Sequence, residues 1–176
     1  MKLKRPGLGA AIFVAALLLR TVWVLLRWSK HGPVFEFPDE ELHWQLASNL
    51  VDHGTLVSDD GRYAARMPVY PLFLALPAWL YDAGILTARL AQALLGAATA
   101  SIAYTLAHKA FDRRAGLIAG VLVCLDPYAV FFANLLLTEV LFSFLAVGLT
   151  ACAWPLLTRT AQPARAAALG VAALGA

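Results

Sequence analysis

Four apolar runs, each long enough to cross a lipid bilayer as a helix, constrain the fold of this chain more than any other feature. A bilayer core takes about 20 residues of helix, and the runs predict spans at about 7–28, 85–107, 115–137 and 140–157. The composition agrees, because 61% of the residues are hydrophobic and only 14% are charged, against about 25% charged in typical soluble domains. We therefore expect an all-α polytopic membrane protein.

The first and last apolar runs lead to two separate predictions. The first run is longer than the apolar part of a signal peptide and no small-residue cleavage site follows it, so we expect it to remain as an anchor. A fifth run starts at 166 and reaches only 176, which is too short to cross a bilayer. We expect residues 1–176 to be the N-terminal part of the membrane domain of a longer protein.

The placement of lysine and arginine predicts the orientation. Three short segments hold eight of the fourteen basic residues: Lys2, Lys4, Arg5, Lys109, Arg113, Arg114, Arg159 and Arg165. The segment 29–84 holds eight acids and three basic residues. Because cytoplasmic loops are enriched in lysine and arginine, we expect a cytoplasmic N-terminus and an outer loop at 29–84. We expect the membrane to be a bacterial inner (plasma) membrane. The basic residues form no stripe, so nucleic acid is not an expected partner.

The outer loop opens with FPDEELHWQLASNL, which has the pattern of an amphipathic helix starting at its proline. Asp39, Glu40 and Glu41 fall in the first turn, where the helix dipole favours negative charge, and Gly54 is placed to end the helix. Acids at this position are also ordinary capping residues. His43 lies one helical turn after Asp39, so the two side chains could share one ligand.

Further candidates follow in RMPVYP, which runs from Arg66 to Pro71. Arg66 has a guanidinium group, which binds phosphate through two parallel hydrogen bonds. Arginines beside a membrane also reach lipid head groups routinely, which is the alternative interpretation. Tyr70 and two prolines indicate a rigid entry at the height of the interface, and the short apolar stretch 72–80 predicts a second juxtamembrane helix.

Polar residues interrupt the predicted spans. Arg20 must either reach the interface along its stem or face a partner or a cavity, because a charge inside a span is costly. Asp126-Pro127 predicts that a helix ends or kinks near Leu125, since proline disfavours helix at the preceding residue. Gly116 and Gly120 form a GxxxG pattern, which we assign to helix packing. The cysteines, Cys124 and Cys152, are interpreted as small buried apolar residues.

Thr138 and Glu139 lie between the third and fourth runs, on the expected outer side with Asp39 and Arg66. This places an acid, a cation and a second acid on one side of the membrane. The sequence contains no P-loop and no dinucleotide-binding fingerprint. A substrate would therefore reach the protein from the lipid or from outside.

Several segments together resemble a known family. An N-terminal anchor is followed by DE at the start of the outer loop, then A-S-N-L-x-x-x-G and R-x-P-x-Y-P-L-F-L-A. R-L-x-Q-x-L-L-G-A, F-D-R-R-A-G-L-I-A and L-L-L-T-E follow in order. Over residues 7–150 the chain is similar to the polyprenyl-phosphate sugar transferases of the glycosyltransferase 39 type, which belong to the GT-C superfamily and include protein O-mannosyltransferases and lipid A aminoarabinose transferases.

The resemblance implies a multispan helical bundle whose outer cavity is roofed by juxtamembrane helices. It implies that Asp39 and Glu40 are the acidic catalytic pair and that Arg66 binds the donor phosphate. It also assigns Thr138 and Glu139 to the substrate, and we place Tyr70 and His43 beside them as candidate substrate contacts. His43-Trp44 and Asp126 depart from the family pattern, which leaves the subfamily open.

The implied reaction moves a sugar from a polyprenyl-phosphate donor to an acceptor protein or glycolipid, with a single inverting displacement. A cation near the membrane surface would stabilise the departing phosphate, and a carboxylate would take the acceptor's proton. No cofactor is required, although a divalent metal could bridge Asp39 and Glu40. The alternatives are a transporter or flippase for a lipid-linked or anionic substrate, with Arg20, Asp126 and Glu139 along its path, and a non-enzymatic membrane scaffold.

Overall fold

The computed structural model describes residues 7–63 and 65–174 and folds them into seven α-helices. These are α1 (Leu8–His31), α2 (Pro38–His53), α3 (Val69–Ala78), α4 (Gly84–Ala110), α5 (Arg113–Leu125), α6 (Pro127–Phe132) and α7 (Glu139–Leu174). A single turn of 3₁₀ helix, Tyr81–Ala83, precedes α4. The described ranges contain no β-strand, only one isolated bridge between Val57 and Tyr63. The prediction of an all-helical chain is confirmed.

Three of these helices are long and apolar enough to cross a membrane, namely α1, α4 and the segment Glu139–Leu156 of α7. They account for the first, second and fourth predicted spans. Helices α2 and α3 lie between the first two of them along the chain, so they pack at the end of the bundle where α1 finishes and α4 begins. We call this the α2–α3 end. The basic residues 2, 4 and 5 lie outside the described residues.

The third predicted span, 115–137, is not one continuous helix. Helix α5 ends at Leu125, and residues 126–138 form the short helix α6 and two turns. Asp126 takes a non-helical conformation, with φ −56° and ψ 116°, because the ring of Pro127 clashes with a helical residue before it. Its carboxylate then accepts a hydrogen bond from Tyr128 N at 3.0 Å and caps α6. The break near Leu125 is confirmed, but the apolar run beyond it does not resume as a span.

The fourth and fifth predicted runs belong to one helix. The segment between them was expected to be a turn, yet α7 continues through it from Glu139 to Leu174. This segment, 158–165, contains two alanines and Pro163 and lacks glycine, so intrinsic helix propensity does not account for its helical conformation. Residues 175 and 176, at the end of the predicted fifth run, lie outside the described residues.

Helices α1, α4 and α5 pack closely through small residues. A Cβ added to Gly120 of α5 would lie 2.7 Å from Ile12 Cδ1 and 2.9 Å from Tyr104 Cβ, so only glycine allows this approach. Cys124 is buried in the same cluster, with Ile12 and two alanines of α4. The packing interpretation of the glycine pattern therefore fits the structure. Cys152 is exposed on α7, so the expectation that it is buried was wrong.

At the α2–α3 end, α2 packs on α3 and both cover the start of α4. Ala47, Tyr70, Leu74 and Leu136 form the centre of this layer. Helix α2 ends as its sequence predicts, because Gly54 adopts the left-handed conformation (φ 69°, ψ 19°) and donates its N–H to Leu50 O. The layer holds the first turn of α2 next to the segment that joins α6 to α7.

Candidate functional site

The first turn of α2 meets the segment before α3 through an ion pair. Arg66 donates from Nη2 to Asp39 Oδ1, and both side chains remain partly exposed to solvent. The two residues are distant in sequence, so the fold itself brings them together. This contact joins two of the predicted site residues.

A cavity of about 420 Å³ opens beside this pair. Its charged lining consists of Asp39, Glu41, Asp59, Asp60, Arg62 and Arg66. Four carboxylates and two guanidinium groups therefore surround one open space. Such a lining can hold a polar ligand with hydrogen-bond donors and an anionic group, which is the chemistry of a sugar phosphate.

The far wall of this cavity is a stiff turn. Asp60 accepts hydrogen bonds from Arg62 Nε at 2.7 Å and from the Ser58 hydroxyl, and these bonds lower the pKa of Asp60 to about 2. Asn49 of α2 donates to Val57 O and to Asp59 Oδ1, each at 2.8 Å. The turn is thereby tied to α2, which positions its acids at the rim of the cavity.

Glu40, next to Asp39 in sequence, has a different environment. Its side chain is fully buried and accepts three backbone hydrogen bonds, from Glu36 N at 2.8 Å, Phe37 N at 3.1 Å and Leu136 N at 2.8 Å. Both carboxylate oxygens are thus occupied by backbone donors. Glu40 joins the α1–α2 connection to the α6–α7 connection, and this geometry suits a positioning residue rather than a proton acceptor.

His43 and Tyr70 lie beneath the ion pair in the packed layer. Their rings meet edge to face, with centroids 4.9 Å apart. Burial lowers the pKa of His43, and the nearby Arg66 lowers it further while Asp39 opposes both, so the imidazole is neutral at pH 7. In the described part of the chain its Nδ1 has no hydrogen-bond partner.

Tyr70 starts a hydrogen-bonded chain that leads to the α6–α7 connection. Burial raises the pKa of Tyr70 well above its ordinary value, and Glu40 and Glu139 raise it further. The hydroxyl therefore keeps its proton and donates to Gln92 Oε1 at 2.9 Å. Gln92 in turn donates to Leu135 O at 2.7 Å, so Tyr70 acts through this contact to hold the connection in place.

Thr138 and Glu139 are not part of the cavity beside Asp39. Both are exposed where α7 begins, and Glu139 lines a second cavity, of about 400 Å³, together with Arg20 and Asp126. The structure therefore divides the predicted acid–cation–acid set between two cavities.

Arg20 does not reach towards the interface. It is fully buried and donates to Val123 O at 2.9 Å and Cys124 O at 3.1 Å. These carbonyls belong to the last turn of α5, which has no further helical N–H to bind them. A Cβ on Gly96 would lie 2.7 Å from Arg20 Nε, so the glycine of the L-L-G-A motif makes room for the guanidinium.

The structural roles of two polar residues of α4, Arg89 and Gln92, were not predicted from the sequence. Arg89 is buried and donates to Gly32 O at 3.2 Å and Val34 O at 2.8 Å, with its guanidinium 5.8 Å from the centre of the Trp28 ring. Gln92 is fully buried as well. Both stand in the R-L-x-Q motif, and a charged or amide side chain inside an apolar span was the signal that could have identified them.

A divalent metal at Asp39 and Glu40 does not fit the geometry of these residues. Asp39 is paired with Arg66, and both Glu40 oxygens accept backbone N–H groups. Within the described residues no three His, Cys, Asp or Glu side chains are grouped so that they could hold one ion.

Comparisons with family models, with curated proteins and with solved structures give no significant match to this chain. The class that the fold defines is an all-helical membrane protein with three candidate spans.

Proposed function

We propose that this protein is a membrane glycosyltransferase that moves a sugar from a polyprenyl-phosphate donor to an acceptor protein or glycolipid. The observation that carries the proposal is the Asp39–Arg66 ion pair beside a charged cavity at the α2–α3 end. The arrangement of the sequence motifs, which resembles the GT-C transferases of the glycosyltransferase 39 type, supports it. The proposed location is a bacterial inner membrane, with the N-terminus in the cytoplasm and the α2–α3 end outside.

In the proposed reaction the donor phosphate displaces Asp39 from Arg66. An acceptor hydroxyl or amine attacks the anomeric carbon, and the bond from that carbon to the phosphate oxygen breaks. The phosphate leaves with the bonding electrons and Arg66 stabilises its charge. Asp39, released from the pair, takes the proton from the acceptor. One displacement inverts the configuration at the anomeric carbon.

The other predicted site residues have supporting roles in this proposal. Glu40 and Tyr70 fix the frame of the site through their bonds to backbone and to Gln92. The neutral imidazole of His43 lies one turn from Asp39 and can hydrogen-bond the acceptor. Thr138 and Glu139 remain proposed substrate contacts, and of the two only Glu139 lines the second cavity.

The test is sugar transfer in membranes from cells that make the intact protein, with polyprenyl-phosphate hexose and pentose donors. We expect Asp39→Asn to lower the rate by about 10²–10⁴, the usual contribution of a general base. Arg66→Lys keeps the charge but loses the two-pronged phosphate contact, so it should mainly raise KM for the donor. Asp52→Asn changes an exposed acid on the same helix and serves as the control. Transfer by Asp39→Asn at the control's rate would contradict the mechanism.

One observation favours a second candidate, a transporter or flippase for a lipid-linked or anionic substrate. Arg20, Asp126 and Glu139, which would line its path, do border one cavity. The discriminating measurement is flux of a labelled substrate across proteoliposomes. Flux without chemical conversion would support transport, and conversion without flux would support the transferase. Unchanged phenotypes of Asp39, Arg66 and Glu139 variants would instead support a scaffold.

A further inference from the structure

A narrow groove lies between α4 and α7, at the end of the bundle where α4 finishes. It has a volume of about 190 Å³ and shares no lining residue with either cavity described above. Because α4 starts at the α2–α3 end and is 27 residues long, or about 40 Å, the groove lies at the opposite end of the bundle. We call it the α4–α7 groove. Its lining residues are Ser101, Ile102, Thr105, Leu106 and Lys109 of α4 and Ala151 and Trp154 of α7.

The α4–α7 groove has one charged lining residue, and this residue stands at its mouth. Lys109 lies in the last turn of α4 and is exposed. Ser101 lies two turns earlier on the same face, so the groove runs about 12 Å along α4 into the apolar part of the helix. The hydroxyls of Ser101 and Thr105 already donate, to Gly9 O at 3.0 Å and to Ser101 O at 2.9 Å. Below Lys109 the groove is therefore lined mainly by apolar side chains.

The cations at this end of the bundle lack protein counter-ions. Arg113 and Arg114 begin α5 directly after the α4–α5 turn, and they are exposed, as is Lys109. Two arginines in a first helical turn also oppose the helix dipole. None of these three cations belongs to an ion pair within the described residues, where the pairs are Arg27–Glu36, Arg62–Asp60 and Arg66–Asp39.

The sequence offers almost no acid that could compensate this charge. Helices α1, α4 and α5 contain no aspartate or glutamate, and α7 contains none after Glu139 at its start. The one acid of the α4–α5 turn is Asp112, which accepts a hydrogen bond from Ala115 N at 2.7 Å and caps α5. The positive charge at this end must therefore be compensated mainly from outside the chain.

We propose that the α4–α7 groove binds an anionic phospholipid, with the phosphate on Lys109 and one acyl chain along Ile102, Leu106 and Trp154. Lysine binds phosphate as a compact charge with three donors, and basic pockets between membrane spans bind anionic head groups. Tryptophan is enriched where a span meets the head groups. A free phosphate ion would leave the apolar wall uncovered, and a zwitterionic lipid would leave the charge uncompensated. The site is independent of sugar transfer.

The experiment uses the intact protein in phosphatidylcholine nanodiscs that contain a small fraction of a photoreactive lipid. Photoreactive phosphatidylglycerol and phosphatidylcholine with the same acyl chains are compared, and labelled peptides are identified by mass spectrometry. We expect phosphatidylglycerol to label the peptides 101–109 and 151–154 about fivefold more strongly, the usual effect of one lysine at an anionic membrane surface.

Two lysines allow a matched test of the charge. Lys109→Gln should lower phosphatidylglycerol labelling of the groove to the phosphatidylcholine level, whereas Lys109→Arg keeps the charge and should retain the labelling. Lys30→Gln is the control, because Lys30 is also an exposed lysine in the last turn of a candidate span but lies at the α2–α3 end. It should leave labelling of the groove unchanged. Thermal denaturation of each variant provides the check on folding.

A second pair of variants tests the position of the acyl chain. Ala151→Phe places a ring in the groove and should lower its labelling by both lipids, whereas Cys152→Phe changes the neighbouring exposed residue and should have no effect. Labelling spread evenly over the helices at this end and insensitive to Ala151→Phe would overturn the proposal, since it would indicate attraction to the surface rather than a groove.

Two further outcomes would overturn the charge selectivity. These are equal labelling by the two phospholipids in the unchanged protein and wild-type phosphatidylglycerol labelling in Lys109→Gln. A photoreactive polyprenyl phosphate that labels the groove better than phosphatidylglycerol would also overturn the proposal and would assign the groove to the donor lipid. No sugar acceptor is added, so the result is separable from that of the transferase assay.

Discussion

Asp39 and Glu40 are neighbours in sequence, yet they belong to two regions with different physical roles. Asp39 belongs to the charged cavity, where side chains pair with other side chains and remain open to solvent. Glu40 is one of several buried polar side chains that bind backbone groups, and Gln92, Arg89 and Arg20 are others. The first region can exchange its partners for a ligand. The buried side chains cannot exchange their backbone partners for a ligand without disrupting the fold. Asp39 is therefore a candidate for chemistry, whereas Glu40 has a structural role.

The largest expected effect on stability comes from Glu40→Ala. It leaves one buried and two partly buried N–H groups without an acceptor and opens the contact between α2 and the α6–α7 connection, so we expect a loss of about 3–5 kcal/mol. Asp39→Ala breaks an exposed ion pair and should cost about 1 kcal/mol or less. Thermal denaturation in detergent measures both, and amide exchange at Leu136 should accelerate only in the Glu40 variant. Equal losses of stability in the two variants would contradict the different roles assigned to Glu40 and Asp39.

Arg20→Met should have the next largest effect. The last carbonyls of α5 lose their donors, and we expect about 2–4 kcal/mol of destabilisation. Arg27→Met is the control, because Arg27 forms a partly exposed ion pair with Glu36 and should cost about 1 kcal/mol. A small loss in Arg20→Met, with unchanged amide protection in α5 and α6, would mean that the buried arginine does not hold the break in place.

A smaller effect is expected where helices meet without polar groups. Gly120→Ala puts a methyl group within 2.7 Å of Ile12 and should cost about 1–3 kcal/mol by overpacking. Gly148→Ala meets nothing within 4 Å and should stabilise α7 by about 0.5–1 kcal/mol, because alanine favours helix. The two changes are chemically identical, so a shift of the same sign in both would contradict the packing assigned to α5.

The smallest effect concerns the turn at Asp60 and is local. Its folded pKa of about 2 lies below the ordinary value of 3.8, so its bonds to Arg62 and Ser58 stabilise the turn above pH 4. That stability is lost as the pH falls through 2. Limited proteolysis with an acid-active protease should cut the turn increasingly between pH 4 and pH 2. Asp60→Asn should be cut equally at both pH values, and the same pH dependence in this variant would remove Asp60 as the cause.

Local patterns in the sequence predicted local structure well. The amphipathic helix α2, its end at Gly54 and the break after Leu125 follow from residues within one or two turns of each feature. The continuation of α7 was missed, because the arginines and Pro163 between the two apolar runs indicated a turn. The helix break near Leu125 was predicted, but the third span was expected to continue to 137, because proline marks a break without indicating whether an apolar helix resumes after it.

The sequence by itself determined that the chain is helical and apolar enough for a membrane and that α2 begins with acids. It could not determine which of those acids lines the open cavity and which is buried. That depends on contacts between residues far apart along the chain, such as Glu40 with Leu136 and Arg20 with Cys124. The start and end of a helix depend on hydrogen bonds between residues close in sequence, so the local sequence predicts them. The environment of a carboxylate is governed by which backbone groups the packed helices leave without partners, and only the tertiary structure decides that.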